Sequence, residues 1–147
     1  MIREPKNGEL VRIRRDKHPQ CFVCGESNPR GLGLEFEFDE NSKCAVAEFH
    51  LNNSLAGYEG TPHGGIISAI FDGAMGNCLF AHGITPVTAE LNIRFKSRLS
   101  LHKRTTVRAR LKDYSHPFYL LECKVEQEGR IKASATGKFV HEPDFSR

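Results

Sequence analysis

The chain of 147 residues carries 21 Lys and Arg against 18 Asp and Glu, a net charge of +3, with 39% hydrophobic and 27% charged residues. That length supports one domain around one core, and that composition excludes a disordered chain. The basic excess is too small to argue for a nucleic-acid-binding protein, although it leaves room for a local anion site.

The first residues contain no apolar run of the kind that heads a secretory signal. The longest apolar stretch, 66–81, carries Asp72 and Asn77 and falls short of the ~20 residues that a membrane span needs. It reads as a core helix. The expectation is a cytoplasmic protein with neither a membrane nor a nucleic acid as partner. The five cysteines include one close pair, and in that compartment they are thiols or metal ligands before they are disulfides.

In chain order, residues 1–18 are polar and basic without a clear period, a short helix or a loose arm. A turn-rich loop follows over 19–33, dense in Gly, Pro, Asn and Ser. His18, Cys21 and Cys24 have ligand spacing, but structural zinc wants about four ligands and a second CxxC is missing. Packing of Cys21 and Cys24 in a tight loop ending at Gly25 is the favoured reading, and no metal is expected. Cys44, Cys78 and Cys123 fall on core elements as small apolar residues.

Leu34, Phe36 and Phe38 alternate with acidic residues, and Cys44, Val46 and Glu48 alternate with Ala45, Ala47 and Phe49. These are two strands joined by a turn over 39–43. A loop over 50–62 is marked by Asn52, Asn53, Gly57, Gly60 and Pro62. From Gly64 to about Ala81 the period becomes helical, with Ile66, Ile67, Ile70, Phe71, Ala74, Met75, Cys78 and Leu79 on the apolar face. A second face carries Gly65, Ala69, Asp72, Gly73 and Gly76. Each glycine inside a helix costs about 1 kcal/mol relative to alanine, so several together predict a backbone or ligand in close approach.

The remainder is β. Val87, Ala89, Leu91, Ile93 and Phe95 alternate with Thr88, Glu90, Asn92, Arg94 and Lys96, a half-buried strand of period two. Three more strands centre on Val107 to Leu111, Tyr119 to Val125 and Ile131 to Phe139, the last two joined by a turn at Glu128-Gly129. A parallel βαβ fold would need helices between these strands, and the sequence has none there. The class is α+β, with a curved antiparallel sheet of about six strands wrapped around one long helix, in a single domain over 1–147.

His63-Gly64-Gly65 stands where the helix begins. The first N–H groups of a helix lack internal partners and carry partial positive charge. A thioester carbonyl placed there would be polarised, and its tetrahedral intermediate bound more strongly still. Asp72 lies two and a half turns on. A carboxylate inside an apolar helix is costly unless paired or used, and burial is expected to raise its pKa toward the range of a general base. Its neighbours one turn away, Ser68 and Gly76, leave room for water or substrate. The plainer alternative is a helix start and a carboxylate that only satisfy nearby backbone.

The segments HGGIISAIFDGAMG, CFVCG-x2-NP-x-GLGL and VTAELNIRFKSRL together resemble the hotdog-fold acyl-CoA thioesterases of the phenylacetate-pathway and hydroxybenzoyl-CoA type, over roughly residues 18–140. The resemblance implies a homodimer, commonly a dimer of dimers, with active sites between subunits and CoA in a groove along the interface. It implies Asp72 as general base or nucleophile and the N–H groups of Gly64 and, most directly, Gly65 as donors to the carbonyl. His63 shapes the loop, and Thr88 positions water. Ser68, Asn92, Arg94, Lys96 and Arg98 are candidates for substrate contact, the basic row for the CoA phosphates. CoA belongs to the substrate, so no cofactor is expected.

Two positions depart from the family pattern. Gly57 stands where relatives often carry an Asn six residues before the histidine, and Asn53 and Glu59 are the nearby substitutes. Arg98-Leu99-Ser100 stands where a Pro is common near the CoA. The gap at Gly57 motivates a second reading, a non-catalytic acyl-CoA-binding or sensing domain. A hotdog dehydratase uses motifs missing here. A zinc-stapled interaction domain built on Cys21 and Cys24 is a further alternative.

Overall fold

The apolar period over 66–79 organises the molecule. The computed structural model describes residues 2–146 and contains helix α1 (Asn7–Lys17), strands β1 (Glu37–Asp39) and β2 (Cys44–Phe49), helix α2 (Gly64–Ala81), and strands β3 (Pro86–Phe95), β4 (Thr105–Ser115), β5 (Phe118–Gln127) and β6 (Arg130–His141). All strands pair antiparallel in one sheet of order β1-β2-β4-β5-β6-β3. The sheet curls around α2, which is the hotdog fold. Ile67, Ile70, Phe71, Met75 and Leu79 of α2 are enclosed with Val107, Leu121, Val125 and Phe139 from the sheet. Burial of this surface, at roughly 25 cal/mol per Å², is the main force holding helix to sheet.

The basic N-terminal segment is a packed helix, not a loose arm. Leu10 and Ile13 are buried against α2. Arg14 reaches inward, donating through Nη1 to the Phe36 carbonyl (3.1 Å), and pairs through Nη2 with Glu26 (3.4 Å). Asn7 Oδ1 accepts from the Phe38 N–H at 2.8 Å. One arginine and one asparagine thus tie α1 to the first strand and to the cysteine loop. The first strand is shorter than its alternation suggests. Leu32 and Leu34 give their N–H groups to Phe22 and Val23 of the cysteine loop instead of to a strand.

The sheet does not enclose α2 all round. Ser68, Ala69, Asp72, Gly73 and Gly76 are only half-buried, and Gly64 and Gly65 are exposed. The glycines of this face differ in what they meet. A Cβ on Gly76 would find open space, whereas one on Gly73 would lie 2.6 Å from Val23 Cγ1 and 2.9 Å from Val23 Cβ. Gly73→Ala is therefore expected to lower stability by about 1–2 kcal/mol despite its better helix propensity, because overpacking outweighs that gain. Gly76→Ala is expected to raise stability by up to about 1 kcal/mol. Denaturant unfolding of the two variants checks the contrast, and equal effects would refute it.

Strand β3 departs from the simple alternation. Thr88 pairs with Phe139 and Glu90 with Lys138, so Ala89 is an extra residue, a β-bulge. Beyond it, Leu91, Ile93 and Phe95 oppose the buried Gly137, Ala135 and Ala133 and share their helix-facing side. Before it, Thr88 shares the side of buried Phe139, and Val87 turns outward with 43% exposure. The bulge therefore moves Thr88 from the polar face expected for it to the face that looks at α2.

Candidate active site

The chain enters α2 through His63, which is extended (φ −61°, ψ 136°) and caps the helix by accepting the Gly65 N–H on Nδ1 at 2.8 Å. Because Nδ1 accepts, a neutral ring carries its proton on Nε2. The His63 carbonyl takes the N–H groups of Ile66 and Ile67. The Gly65 N–H, the donor expected to polarise a carbonyl, is thus occupied by the His63 ring. The Gly64 N–H beside it has no acceptor among the described residues, and it is the open donor of the helix start. A substrate oxygen on Gly65 would replace His63 Nδ1, one acceptor exchanged for another.

Asp72 meets Thr88 across the space between α2 and β3. Thr88 Oγ1 donates to Asp72 Oδ1 at 2.5 Å, a short charge-assisted geometry. The bulge at Ala89 makes this bond possible. Asp72 is half-buried, not enclosed, so the full burial expected for it is not reached within one chain. Ser68, one turn earlier, donates to the Gly64 carbonyl at 2.8 Å, so its proton is committed to the helix. With ~1.5 Å rise per residue, Gly64 and Asp72 lie about 12 Å apart along the axis.

A groove of about 440 Å³ borders the helix start, lined by Tyr58, Gly64, Ile67, Phe95, Lys96 and Arg98 among others. Tyr58 is 88% exposed on its rim and Phe95 51%. Neither aromatic stood out in the sequence, since Phe95 at the end of β3 has the alternation of a core residue and Tyr58 lies in a loop without a period. Arg98 is not free for a ligand: Nε donates to Thr61 Oγ1 (2.6 Å) and Nη2 to the Glu59 carbonyl (2.9 Å), clamping the loop before His63. Asn92 and Arg94 lie on the outer face of β3, opposite Ser134 and Thr136, away from Asp72 of the same chain. Lys96 lines the groove. Arg94 and Lys96 have no ion-pair partner among the described residues.

Gly57 lies against His63, where a Cβ would sit 3.3 Å from the His63 Cα. A side chain at this position would therefore touch the helix start, and here there is none. Of the two nearby positions, Asn53 is engaged elsewhere, with its Oδ1 bonded to His102 Nε2 at 2.9 Å, and Glu59 gives its backbone carbonyl to Arg98.

With this geometry in place, the chain can be set beside known proteins. The sequence profile of the thioesterase superfamily matches residues 59–134. Acyl-coenzyme A thioesterase THEM4 of Bos taurus is 31% identical over 136 residues, covering 90% of this chain and 55% of the bovine protein. The chain spans about half the length of that relative. A hypothetical thioesterase protein of Streptococcus pneumoniae TIGR4, solved with coenzyme A, superposes with a TM-score of 0.68 at 19% identity over 74% of this chain and 87% of that one. The protein smu.793 of Streptococcus mutans UA159, solved bound to acetyl CoA, gives 0.68 at 17% identity over 74% and 88%. At these identities the superpositions speak for the fold.

Proposed function

This chain belongs to the thioesterase superfamily, and on that footing we propose that it hydrolyses an acyl-CoA thioester to the free carboxylic acid and CoA, with Asp72 as general base or nucleophile. The observation that carries the reading is the Thr88–Asp72 bond, which holds one carboxylate oxygen and leaves the other for chemistry. Supporting it, the solved structures of the S. pneumoniae protein include alanine variants at an aspartate and a threonine sixteen positions apart, the separation of Asp72 and Thr88 here.

As base, Asp72 takes a proton from water as the water oxygen bonds to the thioester carbon. The carbonyl oxygen, now an oxyanion, is held by the N–H groups at the start of α2. The intermediate collapses, the C–S bond breaks, and CoA leaves as a thiolate that regains a proton. As nucleophile, the carboxylate attacks the same carbon, the C–S bond breaks to release the CoA thiolate, which regains a proton, and water then opens the resulting mixed anhydride. Either route draws on no cofactor, coenzyme A being part of the substrate. Arg94 and Lys96 are the cations proposed for the CoA phosphates.

The site needs a second copy. A carbonyl bonded to an N–H at one end and attacked by an oxygen at the other spans roughly 7 Å at hydrogen-bond and near-attack distances. The two parts of one α2 are about 12 Å apart on the axis, and the aspartate side chain, though it leans toward the helix start, recovers only roughly 3 Å of that. Strand β3 is a ten-residue edge with one side unpaired, and such an edge is a template for pairing. A homodimer joined there is the least assembly that sets the α2 start of one copy beside Asp72 of the other, and a dimer of dimers is the expected larger form. The setting proposed is the cytoplasm.

The glycine at 57 favours a second reading, binding of acyl-CoA without turnover. Free-thiol release from aromatic, short-chain and medium-chain acyl-CoA substrates separates the two. Turnover of at least one substrate supports hydrolysis. Saturable binding with no thiol released supports a sensing domain and removes the role given to Asp72.

A further inference from the structure

The loop behind α2 holds a second cluster that the reaction does not use. A ring nitrogen of His18 and the sulfurs of Cys21 and Cys24 all lie within 4.8 Å of one another. Tetrahedral zinc, with Zn–S about 2.3 Å and Zn–N about 2.0–2.1 Å, holds its ligand atoms roughly 3.5–3.8 Å apart, so small side-chain adjustments suffice. The turn that brings the sulfurs together is tight: a Cβ on Gly25 would lie 2.4 Å from the Cys21 nitrogen. Both cysteines are free thiols. His18 ends α1, and its ring is fixed edge-on against Phe80 at 4.9 Å between centroids.

Loop packing alone leaves this region incomplete. His18 Nδ1 is buried with no hydrogen-bond partner, and so is Asn77 Oδ1, on a residue that is 1% exposed. A buried polar group without a partner destabilises the fold, so each calls for an explanation. The Asn77 amide nitrogen is committed to the Gly73 carbonyl at 2.8 Å, so only its oxygen lacks a partner. A cavity of about 140 Å³ lined by Lys17, His18, Phe80, Thr85 and Pro86 opens beside the histidine.

We propose that His18, Cys21 and Cys24 form a zinc site that staples the end of α1 and the cysteine loop to the back of α2. Water takes the fourth position. Val23, between the two cysteines, packs on Gly73, the neighbour of Asp72, so the staple also fixes the helix turn that carries Asp72. The proposal stands against the packing reading drawn from the sequence, which found no fourth ligand close by.

The test uses the full chain, stripped of metal under reducing conditions and titrated with cobalt(II) or zinc(II) chloride. One cobalt per chain is expected, with thiolate-to-cobalt charge-transfer absorption and the visible bands of a tetrahedral field. Cys21→Ser with Cys24→Ser is expected to lose both spectra, and His18→Ala to weaken binding more than about 100-fold, beyond the 10–100-fold seen for groups one step from a metal. Zinc at hundredfold excess over its Kd is expected to raise the wild-type Tm by roughly 5–10 °C and leave the double variant unmoved. A wild type with no thiolate–cobalt band overturns the proposal, as does a pair that closes to a disulfide under mild oxidation without ever holding metal. Where the double variant fails to fold, the wild-type spectrum decides alone.

Discussion

Asp72→Asn is expected to lower kcat for the best acyl-CoA substrate by about 10³-fold, within the 10²–10⁴ range of a positioned acid–base group. Asparagine keeps the shape and can still meet Thr88, but it can neither accept a proton from water nor attack the thioester. The fold is expected to stand, because Asp72 is half-buried on the open face of α2 and holds no core residue in place. Thr88→Val is expected to cost less, about 10–100-fold, the worth of one hydrogen bond to a charged group at 1.5–3 kcal/mol. Thiol-release kinetics beside circular dichroism check both. An Asp72→Asn protein with more than about a tenth of the wild-type rate sinks the assignment. After single turnover in ¹⁸O-labelled water, label in the Asp72 carboxylate identifies the nucleophile route, with water attacking the aspartyl carbonyl of the anhydride.

What the sequence discloses depends on whether a feature is periodic. Ile66 to Leu79 repeat at helical spacing, and α2 runs from Gly64 to Ala81 as that period predicts. The strands after it alternate cleanly and fold as β3 to β6. Thr88 is the instructive failure. Period two assigns it outward with Glu90 and Asn92, and a single unpaired residue, Ala89, reverses it. A bulge leaves no mark in a pattern of residue types, so only the resemblance pointed to Thr88. The same limit hid the inward reach of Arg14 from a helix that reads as basic all round. Gly73 was legible as a close approach, but not what approaches, because Val23 is fifty residues away in sequence. The His63 cap on Gly65 is a side-chain rotamer, which no spacing rule specifies.

The proposed division of the site between copies yields a stronger test than loss of activity. Gly64→Pro removes the open N–H at the first helical position, where proline is well tolerated, and the extended His63 suits the residue before a proline. Loss of an oxyanion donor is expected to cost about 10²–10³-fold in kcat. Asp72→Asn and Gly64→Pro homodimers should therefore both be nearly inactive. A heterodimer of the two places both defects in one site and neither in the other. Co-expression in equal amounts gives half heterodimers, each with one intact site in two, so roughly a quarter of wild-type activity is expected to return. Differently tagged copies purified in tandem isolate the heterodimer, where the return is about half. If the isolated heterodimer stays as inactive as its parents, Asp72 and the helix start of the same copy act together, and the inference from their separation along α2 is wrong.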